Sequence, residues 1–111
     1  MANVFKLKTL DGSAIAANTD STVYTAPAAT TTIVLGLTLS NISNQTIYAT
    51  VKISNSDGDD VNFLKNVPIP TGSAIEVMSG NKIVLETGDA VTAASDTANS
   101  LDVSMSVMEQ S

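Results

Sequence analysis

The sequence predicts an all-β protein, an antiparallel β-sandwich of two sheets. Apolar and polar residues alternate in three segments, at 32–41, 46–54 and 100–107. A two-residue period places one face of a strand in a core and the other towards water or a partner. A parallel sheet would need crossover helices, and no segment carries the 3.6-residue apolar period of a helix, so we expect antiparallel pairing.

In each alternating segment the apolar residues are predicted to face the core. The pattern in 32–41 places Leu35 and Leu37 on the core face, with Val34 and Gly36 on the opposite face. Ser and Thr fill many of the opposite positions, which predicts an outer surface rich in hydroxyl groups and poor in charge. The predicted core positions are Ile33, Leu35, Leu37, Leu39, Ile47, Ala49, Val51, Ile53, Leu101, Val103, Met105 and Val107.

Shorter strands are predicted around these segments, at 4–10, 22–25, 62–67, 74–78, 82–86 and 90–94. Turn sequences separate them, among them Asp11-Gly12, Ser79-Gly80-Asn81 and Gly88-Asp89. Such pairs supply the backbone conformations that tight turns require. About nine short strands at a spacing of about 8–12 residues are typical of a jelly-roll or an immunoglobulin-like sandwich.

The chain is predicted to be a single domain spanning 1–111, in which residues 1–10 form an N-terminal arm or an edge strand. Prolines lie on both sides of Ile69 and cannot donate hydrogen bonds to a neighbouring strand. The stretch 68–72 is therefore expected at the edge of a sheet or at a crossover between sheets.

Residue types that carry most enzyme chemistry are missing from the sequence. The 111 residues include no Cys, no His and no Trp, and the five basic residues are all Lys. The chain therefore has no thiolate nucleophile, no imidazole base and no Cys or His ligand for zinc. It also has no Arg to grip a phosphate with two parallel hydrogen bonds. We expect a protein that is not an enzyme and that holds no cofactor or metal ion.

The net negative charge of the chain excludes some classes of binding partner. A net charge of −6 at pH 7 opposes binding to nucleic acids and to anionic membranes. The N-terminal residues contain no apolar run of signal-peptide length, so we expect synthesis in a cytoplasm without export. The expected partners are other proteins, with no nucleic acid and no membrane.

One cluster of carboxylates, Asp57-Gly58-Asp59-Asp60, is a candidate site for a hard cation such as Ca²⁺. The register of an EF-hand fails here, because Ile53 and Val61 would occupy the first and ninth ligand positions. The favoured interpretation is a hairpin turn with solvated acids.

The segment 22–32 is predicted to be extended and carries no charged residue. A monomer usually protects such an edge with a charged residue or a bulge, so the segment indicates that another chain covers it. The candidate interface residues combine this segment with a tyrosine and two prolines elsewhere: Tyr24, Pro27, Thr31, Tyr48, Pro68 and Pro70.

Four strings occur in order along the chain: VYTAP at 23–27, PIPTG at 68–72, LETGD at 85–89, and a final alternating strand that ends in Glu109. Together they resemble the small virion structural proteins of tailed bacteriophages, of the marine and cyanobacterial phage type. The resemblance implies head decoration or a neck or tail-fibre-associated role. It brings no catalytic residues.

We therefore expect a non-enzymatic virion protein, made in the host cytoplasm, that acts as a capsid decoration or cement protein or as a head–tail subunit. Its expected partners are the major capsid, tail or neck proteins, and copies of itself in a closed ring, with a trimer favoured. The alternative is a tail-fibre-associated module that binds carbohydrate or a cell surface. That module would need an aromatic platform, for which Tyr48 alone lies on a polar strand face, or Ca²⁺ near Asp57, Asp59 and Asp60.

Overall fold

Nine strands make up most of the structure, a computed structural model that describes residues 3–78 and 80–111. Met1 and Ala2 of the predicted arm and Ser79 of the predicted turn lie outside the described residues. The strands are β1 Asn3–Leu10, β2 Ser21–Thr25, β3 Thr31–Asn41, β4 Ile47–Ser54, β5 Asp60–Ile69, β6 Ala74–Glu76, β7 Ile83–Leu85, β8 Ala90–Ser95 and β9 Leu101–Gln110.

The strands form two antiparallel sheets, which confirms the predicted sandwich. Sheet A has the order β1-β9-β3-β6, with β7 also paired to β3, and sheet B has the order β2-β8-β4-β5. β6 and β7 lie one after the other along β3, and so act as one interrupted strand. Counted in that way, the first strand pairs with the last, the second with the second-last, and so on inwards. This is jelly-roll topology, which the sequence left open against an immunoglobulin-like one.

The apolar core lies between the two sheets and takes side chains from both. In β9 the predicted alternation is confirmed, because Leu101, Val103, Met105 and Val107 are all buried. The largest side chains that are fully buried are Ile15, Leu39, Ile47, Ile69, Met78, Leu85, Leu101 and Met105.

The core assignment was wrong in the first half of β3. Val34 is buried, whereas Leu35 is 38% exposed. The pairing of β3 with β9 shifts between Val34 and Gly36, so Leu35 is the extra residue of a β-bulge. A bulge reverses the inward and outward phase of a strand. From Leu37 onwards the predicted phase is confirmed, since Leu37 and Leu39 are buried.

β5 is longer than predicted and includes Pro68, which lies opposite Tyr48 of β4. It is an edge strand of sheet B, where a residue without an N–H group is tolerated. The placement of this stretch at a sheet edge is therefore confirmed. β6, in contrast, ends two residues before the predicted bound, at Glu76, whose carboxylate accepts hydrogen bonds from the N–H groups of Leu37 and Met78.

Helical structure in the described residues is confined to one 3₁₀ turn, Gly12–Ala14. The carboxylate of Asp11 begins this turn by accepting a hydrogen bond from the N–H of Ser13. Nothing helical within 3–78 and 80–111 is long and apolar enough to cross a membrane.

Candidate functional site

Four apolar side chains lie side by side across the outer face of sheet A. Phe5 of β1 is opposite Met108 of β9, Met108 is opposite Ile33 of β3, and Ile33 is opposite Val84 of β7. Phe5 is 71% exposed and Val84 is 60% exposed, while the two central side chains are half-buried. We call Phe5, Met108, Ile33 and Val84 the apolar row. It crosses four strands and presents a continuous apolar surface to solvent.

Two further side chains extend the apolar row. Leu7 lies two residues after Phe5, on the same face of β1, and is largely exposed. Leu35 is turned outwards by the bulge in β3. The rest of this face carries the hydroxyl groups that the sequence predicts, with Thr38 opposite Ser104.

The sequence analysis missed the apolar row. β1 carries Phe5 and Leu7 in alternation with Lys6 and Lys8, which is a visible period of two. That pattern shows that one face is apolar, but the usual rule would turn the apolar face inwards. Here the lysine face lies inwards, because Lys6 Nζ forms an ion pair of 2.8 Å with Glu109 Oε1.

The partner of Lys6 belongs to a buried polar cluster that includes one of the predicted interface residues. The Tyr24 hydroxyl donates a hydrogen bond to Glu109 Oε2 and accepts one of 2.8 Å from the hydroxyl of Thr32. Burial raises the pKa of Tyr24 to about 12. The assignment of Tyr24 to an interface was therefore wrong, since its side chain lies in the core.

The other five predicted interface residues are exposed, but they lie on two different surfaces. Thr31 lines a shallow groove together with Val84, next to the apolar row, and Pro27 lies in the connection that leads to β3. Tyr48 and Pro68 are cross-strand partners on the outer face of sheet B, and Pro70 follows β5.

The outer face of sheet B carries a second candidate site, an open polar groove of about 250 Å³. Tyr48, 46% exposed, lies at this groove. Its N–H donates a hydrogen bond of 3.0 Å to Asp96 Oδ1, and its carbonyl oxygen accepts one of 3.1 Å from the N–H of Asp96. We call this the sheet B groove, and define it by six of its lining residues: Asp20, Tyr48, Lys52, Asn62, Asn66 and Asp96.

The acidic loop at 57–60 forms a hydrogen-bonded hairpin turn between β4 and β5. Asp57 Oδ1 accepts a hydrogen bond from the N–H of Asp59, and Asp60 Oδ1 accepts one from the hydroxyl of Ser54. Gly58 supplies the positive φ of 108° that the turn requires. No group of three or more Asp, Glu, His or Cys side chains in the described part of the chain could hold a metal ion.

No protein-family model and no curated protein matches the sequence. A solved structure described as "Bacillus endospore appendages form a novel family of disulfide-linked pili" is similar to the structure of this chain, with a TM-score of 0.52. The two sequences are 16% identical, and the match covers 96% of this chain and 85% of that chain. This likeness shows the fold. The resemblance to phage proteins stays a prediction.

Two buried carboxylates should make the fold sensitive to acid. The hydrogen bond from Lys6, and after it that from Tyr24, hold the pKa of Glu109 below its ordinary value of 4.5. Hydrogen bonds from the N–H groups of Ser56 and Glu86 likewise lower the pKa of Asp89. A carboxyl group with a lowered pKa in the folded state stabilises the fold above its unfolded-state pKa, and this contribution is lost as the pH falls through the folded-state pKa.

We therefore expect the free energy of unfolding, measured with urea at a series of pH values, to decrease steadily below about pH 4.5. Asp89→Asn removes one of the two lowered pKa values and should make this acid dependence shallower. A free energy that stays constant down to pH 2.5, or rises as the pH falls, would contradict the assignment.

Proposed function

We propose that this protein is a non-enzymatic structural subunit of a phage particle that assembles with further copies of itself through the apolar row. The observation that carries the proposal is the row itself, an apolar surface that runs across four strands and is open to solvent. Exposed apolar surfaces of this kind mark protein–protein contacts in soluble proteins.

The charge distribution favours a second copy as the occupant of this surface. The chain has a net charge of −6, so two copies repel each other wherever their acidic surfaces meet. The apolar row is uncharged, and so are the positions two residues away on β9, Ser106 and Gln110, and those on β1, Asn3 and Leu7. At the β7 end, the positions two residues from Val84 carry opposite charges, on Lys82 and Glu86. Two copies can therefore bring the β1 and β9 part of this face together without placing like charges opposite each other.

The position of β1 adds to the support. β1 lies at the edge of sheet A and pairs along its whole length with β9. An edge strand presents main-chain N–H and C=O groups to a partner, and its lysines, which usually blunt such an edge, point towards the inner face. Phe5 and Leu7 therefore continue the apolar row up to the edge, so the contact can include this strand.

The appendage protein of similar fold supports the self-assembly part of the proposal. According to its description, that protein forms disulfide-linked pili. This chain contains no Cys, so its own contacts would be non-covalent. The location in a phage particle rests on the sequence resemblance. There the chain would act as a decoration protein or as a head–tail subunit, bound to capsid, neck or tail proteins. The trimer stays a prediction.

Sedimentation velocity over a range of concentrations tests the self-association. We expect the wild-type chain to form oligomers, and Val84→Asp to weaken the association at least tenfold, or by about 1.4 kcal/mol, because it places a carboxylate in the apolar row. Val61→Asp is the matched control, since Val61 is 55% exposed on β5, at the edge of the other sheet. It should associate as the wild type does.

A wild-type chain that stays monomeric at millimolar concentration would contradict the assembly, as would equal association of the Val84→Asp variant and the wild type. Mass spectrometry of purified phage particles tests the setting separately. If the chain is absent from the particles but self-associates in solution, the phage location is wrong and the apolar contact stands.

A further inference from the structure

We propose that the sheet B groove is a binding site for neutral carbohydrate, a function beyond the assembly contact on the opposite sheet. The groove brings together an exposed aromatic ring, amide side chains and charges of both signs. Sites for small ligands in general combine an apolar surface with a few convergent polar groups that fix the orientation of the ligand.

Tyr48 supplies the platform. Its ring stands on the outer face of β4 and is 46% exposed. The reciprocal hydrogen bonds between Tyr48 and Asp96 fix the backbone from which the ring projects. A sugar ring has one face of C–H groups, which packs on a flat aromatic surface, while its hydroxyl groups remain free to bond with the groups around the platform.

A β-bulge in β5 places the polar groups. Val67 lies opposite Ala49 and Leu64 lies opposite Val51, so that two residues, Lys65 and Asn66, face Thr50 alone. The N–H of Asn66 donates a hydrogen bond of 3.1 Å to the hydroxyl oxygen of Thr50, which holds Asn66 at a φ of 51°. Bulges of this kind re-aim side chains, and both bulged residues line the groove.

The lining groups match hydroxyl groups in their bonding capacity. The amides of Asn62 and Asn66 each offer two donors and an acceptor, and a sugar hydroxyl is both a donor and an acceptor. Lys52 Nζ lies 3.0 Å from Asp20 Oδ2, an ion pair that holds both side chains at the groove.

The charges select for a neutral ligand. The two lysines, Lys52 and Lys65, balance the two carboxylates, Asp20 and Asp96. A phosphate or carboxylate group on a ligand would meet as much negative as positive charge, so it would gain little. The volume of about 250 Å³ lies just below the range of about 300–1,000 Å³ for small-molecule sites, which fits a short segment of a glycan.

The test is an array of immobilised neutral oligosaccharides ending in glucose, galactose, mannose or N-acetylglucosamine, with sialylated and phosphorylated glycans beside them. The 111-residue chain should bind at least one neutral glycan, and it should bind no anionic glycan more strongly than that one. The dissociation constant of that glycan, measured by titration calorimetry, should rise at least tenfold in Tyr48→Ala and stay within about threefold in Tyr48→Phe, which keeps the ring.

Val61→Ala is the control, because it removes exposed apolar atoms from β5 outside both the sheet B groove and the apolar row, and it should leave glycan binding unchanged. Asn62→Ala keeps the Tyr48 ring and should weaken glycan binding at least threefold. This variant tests the proposal even if Tyr48→Ala is poorly folded. No binding to any neutral glycan, a preference for anionic glycans, or equal binding by Tyr48→Ala and the wild type would overturn the proposal. None of these results bears on self-association through the apolar row.

Discussion

Leu39→Ala is expected to lower the free energy of unfolding by about 2–5 kcal/mol, the largest loss among the changes considered. The side chain of Leu39 is fully buried, and it lies in β3 between Val103 of β9 and Ile75 of β6. Alanine at this position removes apolar contacts with both neighbours and leaves a cavity in the centre of the sandwich. Urea denaturation with a two-state fit measures the loss.

The same strand offers a matched control four residues earlier. Leu35→Ala removes the same atoms, but from a side chain that the bulge turns outwards, so the expected loss is below about 1 kcal/mol. The two variants together test the phase of β3. Equal losses from the two, or a larger loss from Leu35→Ala, would show that the strand is regular and that the bulge is wrongly placed.

The bulge also marks the limit of what the sequence could predict. Strict alternation assigns Ile33, Leu35, Leu37 and Leu39 to one face, and it holds only while each residue of β3 has its own partner on β9. One inserted residue reverses the phase for everything before it. Gly36, inside an apolar run, was the available signal, because a glycine within a strand pattern often marks a bulge.

The strands themselves were predictable where period and turn chemistry agree. β9 follows its pattern through the core positions from Leu101 to Val107, and all of them are buried. The topology was not predictable in the same way. Which strands pair depends on contacts such as that of β1 with β9, which are almost the whole chain apart and leave no trace in a local pattern.

The candidate sites were predictable only in part, because they too depend on contacts between residues that are distant in the sequence. Tyr48 was correctly placed on a polar face, since the alternation of β4 is regular around it. Tyr24 lies in a segment without charges, and for that reason it was predicted to be an interface residue. Its hydroxyl is instead hydrogen-bonded to a glutamate at the far end of the chain. The apolar row needs the register of four strands at once, which a single sequence does not contain.

Replacement of the buried Tyr24 gives the second large loss of stability. Tyr24→Phe is expected to lower the free energy of unfolding by about 1–3 kcal/mol near neutral pH. The variant keeps the ring but removes the hydroxyl that bridges Glu109 and Thr32, so a carboxylate oxygen loses its donor inside the core. Tyr48→Phe is the matched control, since it makes the same change on an exposed tyrosine and should leave the stability within about 0.5 kcal/mol.

The pH dependence separates the loss of this hydrogen bond from a simple packing change. The pKa of Tyr24 is raised to about 12 in the folded state, so its contribution is complete below pH 10 and is lost as the pH rises towards 12. Tyr24 also helps to lower the pKa of Glu109, whose contribution disappears in acid. The difference between the wild type and Tyr24→Phe should therefore be largest between about pH 6 and pH 9 and should shrink on both sides. Urea titrations across this range measure it, and a difference that is constant from pH 3 to pH 11 would mean that the hydroxyl contributes through packing alone.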